Sequence, residues 1–172
     1  MAAVISNVSP LIGLCRIGLL HILKKLWKEI VIPDAVYREV VIEGSGKRGA
    51  DIVVSACKDW IKVITVKNRN EVEALRTVLD EGESEVIALG QELNADILLL
   101  DNREPRLFAK TVNLKVMGTV GILKLAWQRD LVKEPLKDLH KLRLNGFWID
   151  DKLIERFKSE INQSKRQMHE EI

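Results

Sequence analysis

The chain has 172 residues, 47% of them hydrophobic and 30% charged, with a formal net charge of +2. That is enough apolar chain for one compact domain with a real core, and it excludes a disordered polymer. The mild charge excludes a nucleic-acid binder that works by overall basicity, so any basic surface has to be local.

The two cysteines, Cys15 and Cys57, sit in apolar surroundings. They read as free thiols in a reducing, cytoplasmic setting rather than as a disulfide. His21, His140 and His169 lie far apart without ligand spacing, which argues against zinc. The N-terminus carries no basic segment and enters a strand at once, so no signal peptide is expected. No apolar run reaches the roughly 20 residues of a membrane span.

In chain order, residues 2–6 predict a short buried strand. Ser9 is placed to cap the next helix, with Pro10 at its first position, where a missing N–H costs nothing. Leu19, Leu20, Leu23, Leu26 and Trp27 form a helical stripe, with Lys24, Lys25 and Lys28 off it. Residues 30–32 predict a strand, and Pro33 the start of another helix. A loop with three glycines, "EGSGKRG", precedes a short helix over 48–57. Residues 60–66 alternate like a strand.

The second half repeats this logic. Residues 70–79 predict a helix, Gly82 breaks the pattern, and "ESEVIALGQEL" predicts a second helix. "ADILLLD" is a strand with an acid at its carboxyl end. "EPRLFAK" is a helix and "LKVM" a strand, followed by Gly118-Thr119 and the helix "VGILKLAW", apolar nearly all round and therefore expected deep in the core. Two amphipathic helices close the chain, one over about 135–145 and one carrying Ile149, Leu153, Ile154, Phe157 and Ile161. The polar end suits a tail at 165–172 after a single domain at 1–164. Short buried strands alternating with helices imply an α/β fold, a central parallel sheet with helices on both faces. Sites in such sheets form at the carboxyl ends of the strands.

Polar groups converge there. The first strand ends at Asn7, the fourth at Asp101 and Asn102, and Thr119 follows the last. Glu39 and Glu85 lie inside apolar helical patterns. Several carboxylates buried together repel one another unless a cation intervenes, and oxygen-only ligands suit Mg²⁺ or Mn²⁺. Each residue also has a plainer reading. Glu39 can be a solvated helix residue, and Glu85 or Glu83 a first-turn acid favoured by the helix dipole. Asp101 can cap the helix after its strand, Asn7 can form an Asx turn, and Ser9 and Thr119 can be caps. Arg103, Arg106 and Lys110 follow Asp101, and the last two share a helix face. They are candidates to hold an RNA backbone or are ordinary solvated charges. Lys47 and Arg48 are a second basic candidate.

Several stretches carry a resemblance: "SNVSPLI", "IPDAVYREVV", "GESEVIAL", "LLLDNREPRLFAK", "VMGTVGILKLAWQRDLV" and "LRLNGFWIDDKLIERF". Over residues 4–158, in order, the chain resembles the PIN domain superfamily of metal-dependent ribonucleases, in particular a prokaryotic branch of unknown function grouped with toxin-like PIN proteins. The resemblance implies a three-layer α/β/α sandwich, here with extra C-terminal helices. It also implies an acidic pocket holding Mg²⁺ or Mn²⁺, and single-stranded RNA as substrate. A small antitoxin partner and a homodimer follow from the same likeness. The family's acidic positions fall on Asn7, Glu39, Glu85 (with Glu83 as rival) and Asp101 (with Asn102 as rival), and Ser9 and Thr119 match pocket hydroxyls. Asn7 departs from the aspartate usual there. An amide keeps a ligating carbonyl oxygen but loses the charge, and it is a poor base. Hence two expectations stand: an active RNA phosphodiesterase with a weakened site, or a catalytically silent RNA- or protein-binding module. A phosphate- or nucleotide-binding module is the weakest alternative, because no Gly-rich turn follows the first strand.

Overall fold

Short apolar runs that would leave an isolated strand unsatisfied are stable when they pair side by side under helices, and this chain does so five times. A computed structural model describes residues 3–170. Its strands are β1 (Val4–Ser6), β2 (Ile30–Pro33), β3 (Ile61–Ile64), β4 (Ile97–Leu99) and β5 (Val116–Met117). They form one parallel sheet in the order β3-β2-β1-β4-β5. Ile5 pairs with Val31 on one side and Leu98 on the other. The chain therefore winds outward from β1 to β3 and then starts again at β4. The carboxyl ends of β1 and β4 flank this switch point, where an open α/β sheet leaves a crevice.

The connecting helices are α1 (Val8–Arg16), α2 (His21–Trp27), α3 (Asp34–Tyr37), α4 (Ala50–Cys57), α5 (Arg69–Leu75), α6 (Glu81–Glu92), α7 (Arg103–Thr111), α8 (Thr119–Gln128), α9 (Pro135–Leu144) and α10 (Asp151–Glu170). A π-helical turn, Arg38–Glu43, continues α3. α6 packs on β1, β2 and β4 with α5 and α7 beside it, whereas α1 meets α4, α8 and α9. The expected α/β/α sandwich with extra C-terminal helices is what forms. Among the described residues, no helix is long and apolar enough to cross a membrane.

The core is aliphatic. Ile5, Leu14, Ile32, Ile87, Leu98 and Leu99 are wholly buried, and each would cost about 2–5 kcal/mol on truncation to alanine. α6 is buried continuously from Gly82 to Gly90, which carries its acidic start into the sheet's rim. Cys15 is buried and Cys57 half-buried, both as free thiols. Burial, with the charge of Asp51 behind it, pushes the Cys15 thiol up to about 12.

Several boundaries differ from expectation. Asn7, not Ser9, holds the N-cap position of α1, and Pro10 is its third residue. Gly82 lies inside α6 rather than before it. An Asp80–Glu83 capping box starts this helix at Glu81, with Asp80 Oδ1 accepting from the Glu83 N–H and Glu83 Oε2 from the Asp80 N–H. The tail expected from residue 165 continues α10 as far as Glu170, and residues 171–172 lie outside the described residues.

Candidate metal and phosphate site

The β1 register sets the first residue. Asn7 N–H donates to Leu99 O at 3.0 Å, extending the β1–β4 pairing by one step. Its side chain makes no capping bond to α1. Instead Oδ1 is buried with no hydrogen-bond partner. Leaving a buried carbonyl oxygen unpaired costs about 1–3 kcal/mol, so this atom is free to accept an electropositive ligand.

What lies around Oδ1 is visible from Gly82. A Cβ built on that glycine would stand 3.2 Å from Asn7 Oδ1, 3.6 Å from Asp80 Oδ1 and 3.6 Å from Glu39 Oε2. Three oxygens from three elements thus approach one another beside a residue that carries no side chain. The π turn presents Glu39. Such turns add one residue to a helical circuit and recur at functional sites. Although Glu39 is exposed as a residue, partial loss of water raises its carboxyl pKa. The charges of Asp80, Glu43 and Glu83 raise it further, and only Lys47 opposes them. Glu39 and Asp80 thus bring two carboxylates to the orphaned amide oxygen, and Arg16, Lys47 and Arg48 line the hollow beside Glu39.

Glu83 and Glu85 divide the roles the sequence left between them. Glu83 is 6% exposed. Its Oε1 accepts from Asn102 Nδ2 at 2.7 Å, which joins α6 to the turn after β4. Glu85 is buried and faces elsewhere: Oε2 accepts from the Ala35 N–H at 2.8 Å, and Oε1 is paired with the Arg69 guanidinium. Both its oxygens tie α6 to α3 and α5. The structure therefore brings Asn7 and Glu39 together and turns Glu85 away. Among the described residues, no three His, Cys, Asp or Glu side chains gather closely enough to hold a metal ion by themselves, so Glu39, Glu85 and Asp101 do not form the single expected group.

Asp101 lies two residues past β4. Its Oδ1 accepts from the Thr119 N–H at 2.7 Å and its Oδ2 from Thr119 Oγ1 at 2.8 Å. It caps α8, not the helix that follows its own strand, and Thr119 is its donor rather than a cap itself. Asn102 holds the N-cap position of α7 without a side-chain bond there. Burial raises the Asp101 carboxyl pKa, while the two Thr119 bonds and the Arg106 charge pull it down. Arg106 Nη1 and Asp101 Oδ1 crowd Gly118, at 2.6 and 3.0 Å from where its Cβ would be.

The other candidates separate as follows. Ser9 and Arg103 line a hollow with Asp101 and Asn102. Lys47 and Arg48 line another with Glu39. Lys110 lies apart, with Ile97, Asn113 and Lys115 near the starts of β4 and β5, because a helix carries its last turn away from the site its first turn serves. Asp80 is the residue that the sequence reading passed over. Its signal was present, an aspartate three residues before Glu83 at a helix start, but nothing in the sequence says that a cap also faces Asn7.

The residues fit a divalent cation that keeps much of its water. The donors are all hard oxygens, two of them carboxylate, and one is an orphaned amide carbonyl. No curated protein matches the chain. A family model described as a PIN domain matches residues 3–163, and the chain belongs to that family, a nuclease-type fold.

Proposed function

We propose that the chain is a divalent-metal-dependent endoribonuclease that hydrolyses phosphodiester bonds in single-stranded RNA. The observation that carries this reading is the unpartnered Asn7 Oδ1 beside Gly82, with carboxylate oxygens of Glu39 and Asp80 close to the same residue, in a chain of the PIN family. Asn7, Glu39 and Asp80 would hold Mg²⁺ or Mn²⁺. When bound, the cation supplies charge stabilisation to the phosphate and to the oxygen that leaves it. Glu83, fixed by Asn102 and by the Asp80 N–H, holds the acidic start of α6 in position. Arg103 and Arg106, in the first turn of α7, offer guanidinium donors to backbone phosphate. The toxin of a toxin–antitoxin pair is the cytoplasmic role that suits such an activity, with a small antitoxin occluding the cleft and a homodimer as the assembly. That part rests on family likeness alone.

The second reading is a catalytically silent RNA- or protein-binding module. The amide at position 7 favours it, and so does the engagement of both Asp101 oxygens by Thr119. One experiment separates the two. Single-stranded RNA is incubated with the protein in Mn²⁺, in Mg²⁺ and in EDTA, beside Glu39→Gln. The nuclease reading expects cleavage with metal, none in EDTA, and a loss of about 100-fold or more in the variant. Equal residual cleavage by wild type and variant would assign the activity to a contaminant and leave the silent reading.

A further inference from the structure

Trp148 is 84% exposed, although an indole ordinarily buries most of its large apolar surface. Its neighbours explain how it is held out. Phe147 lies against α1, so close that a Cβ on Gly13 would stand 3.0 Å from its ring, and the Phe147 N–H donates to Leu142 O. Ile149, on the other side, is buried in the core. The backbone is thus anchored immediately before and after residue 148, and the indole projects from a fixed base.

The surroundings are specific. Phe147 and Trp148 stand between two hollows of about 460 and 500 Å³, and Asp101 lines both. One hollow carries Arg16 and Arg103, the other Arg106. Arg16 and Arg106 donate to the backbone carbonyls of Asn145 and Leu100 rather than to carboxylates, so their charge is not neutralised by those bonds. The acid they share, Asp101, has both oxygens engaged by Thr119. Farther along the second hollow, Glu160 pairs with both Lys124 and Arg156. Across the two hollows Arg16, Arg103, Arg106, Lys124 and Arg156 outnumber Asp101, Asp150 and Glu160, which leaves a surplus of positive charge around the indole.

We propose that Trp148 is a stacking platform for an unpaired base of single-stranded RNA, with Arg16, Arg103 and Arg106 on the phosphates of the nucleotides that lead from it to the β1–β4 crevice. This rests on the reading of the chain as an RNA-processing protein. An exposed π face takes any base and needs that base unstacked, while guanidinium groups track the backbone; together these favour single strands over duplex. A second copy of the chain would also cover an exposed tryptophan, but arginines in excess of the acids around it suit a polyanion better than an apolar interface.

The test uses the full chain in EDTA at low salt, with a short labelled uridylate homopolymer and the same RNA in duplex form. Fluorescence anisotropy reads affinity for wild type, Trp148→Ala and Trp148→Phe, and intrinsic fluorescence reads the indole. The expected result is binding of the single strand with quenching that is missing in Trp148→Phe. Affinity falls about tenfold in Trp148→Ala and is largely kept in Trp148→Phe, with melting midpoints unchanged. If wild type binds the single strand and Trp148→Ala binds it equally well, the platform is overturned and the RNA reading stands. If wild type binds no single strand, the RNA reading falls and the platform with it. If Trp148→Ala leaves RNA affinity intact but turns a dimer into monomers in sedimentation, the indole belongs to a subunit interface and the proposal is overturned.

Discussion

Asn7 occupies the place where the chemistry and the stability of this fold meet. Its amide oxygen is buried and unpartnered, and two carboxylate oxygens lie with it beside Gly82. Restoring a charge there has opposite effects in the two states of the pocket. Without a cation, Asn7→Asp adds a third negative group beside Glu39 and Asp80, whose mutual repulsion already raises the Glu39 pKa. With a cation, the added charge strengthens its hold. The expected outcome is a lower melting midpoint in EDTA, a larger upward shift with Mn²⁺ than wild type shows, and RNase activity equal to or above wild type. Lower activity in Asn7→Asp than in an active wild type would contradict the role given to this amide. Glu85 supplies the contrast. Truncation to alanine leaves the Ala35 N–H without its partner and the Arg69 guanidinium without its carboxylate. A loss of about 3 kcal/mol is expected in urea unfolding. Glu83→Gln should cost far less stability. Equal losses would mean that the two glutamates do not divide the work as described.

At the scale of elements, what could be read in the sequence was whatever depends on period and local chemistry. The strand at β2, the stripe of α2, the apolar α8 and the acid after β4 are all visible as patterns. What could not be read depends on which way a side chain turns once its element is packed. Glu83 and Glu85 are two residues apart on α6, about 200° around a helix, so one reaches Asn102 and the other reaches Ala35 and Arg69. No periodicity in "GESEVIAL" says which neighbour awaits either. Asp101 looks like the cap of α7, whereas it caps α8, because β4 and β5 are adjacent and their exits lie side by side. Gly82 looks like a helix breaker. The capping box upstream of it starts α6 at Glu81, one residue before it, and the glycine lets three oxygens approach its backbone.

Across the whole molecule, the order β3-β2-β1-β4-β5 puts its switch point between β1 and β4. Oxygens from β1's end, the π turn and the start of α6 meet beside Gly82, and arginines and an exposed indole line the hollows that share Asp101. The central claim is that the space beside Gly82 receives a divalent cation. The direct measurement is thermal melting of wild type and Gly82→Ala in EDTA and in millimolar Mn²⁺. An alanine methyl fills that space while favouring the helix by up to about 1 kcal/mol. The expected result is a rise in the wild-type midpoint with Mn²⁺, as a ligand selective for the folded state requires, and a folded variant whose midpoint does not respond. A wild-type midpoint that stays the same in Mn²⁺ and in EDTA, or a Gly82→Ala midpoint that rises as far as the wild-type one, would contradict it.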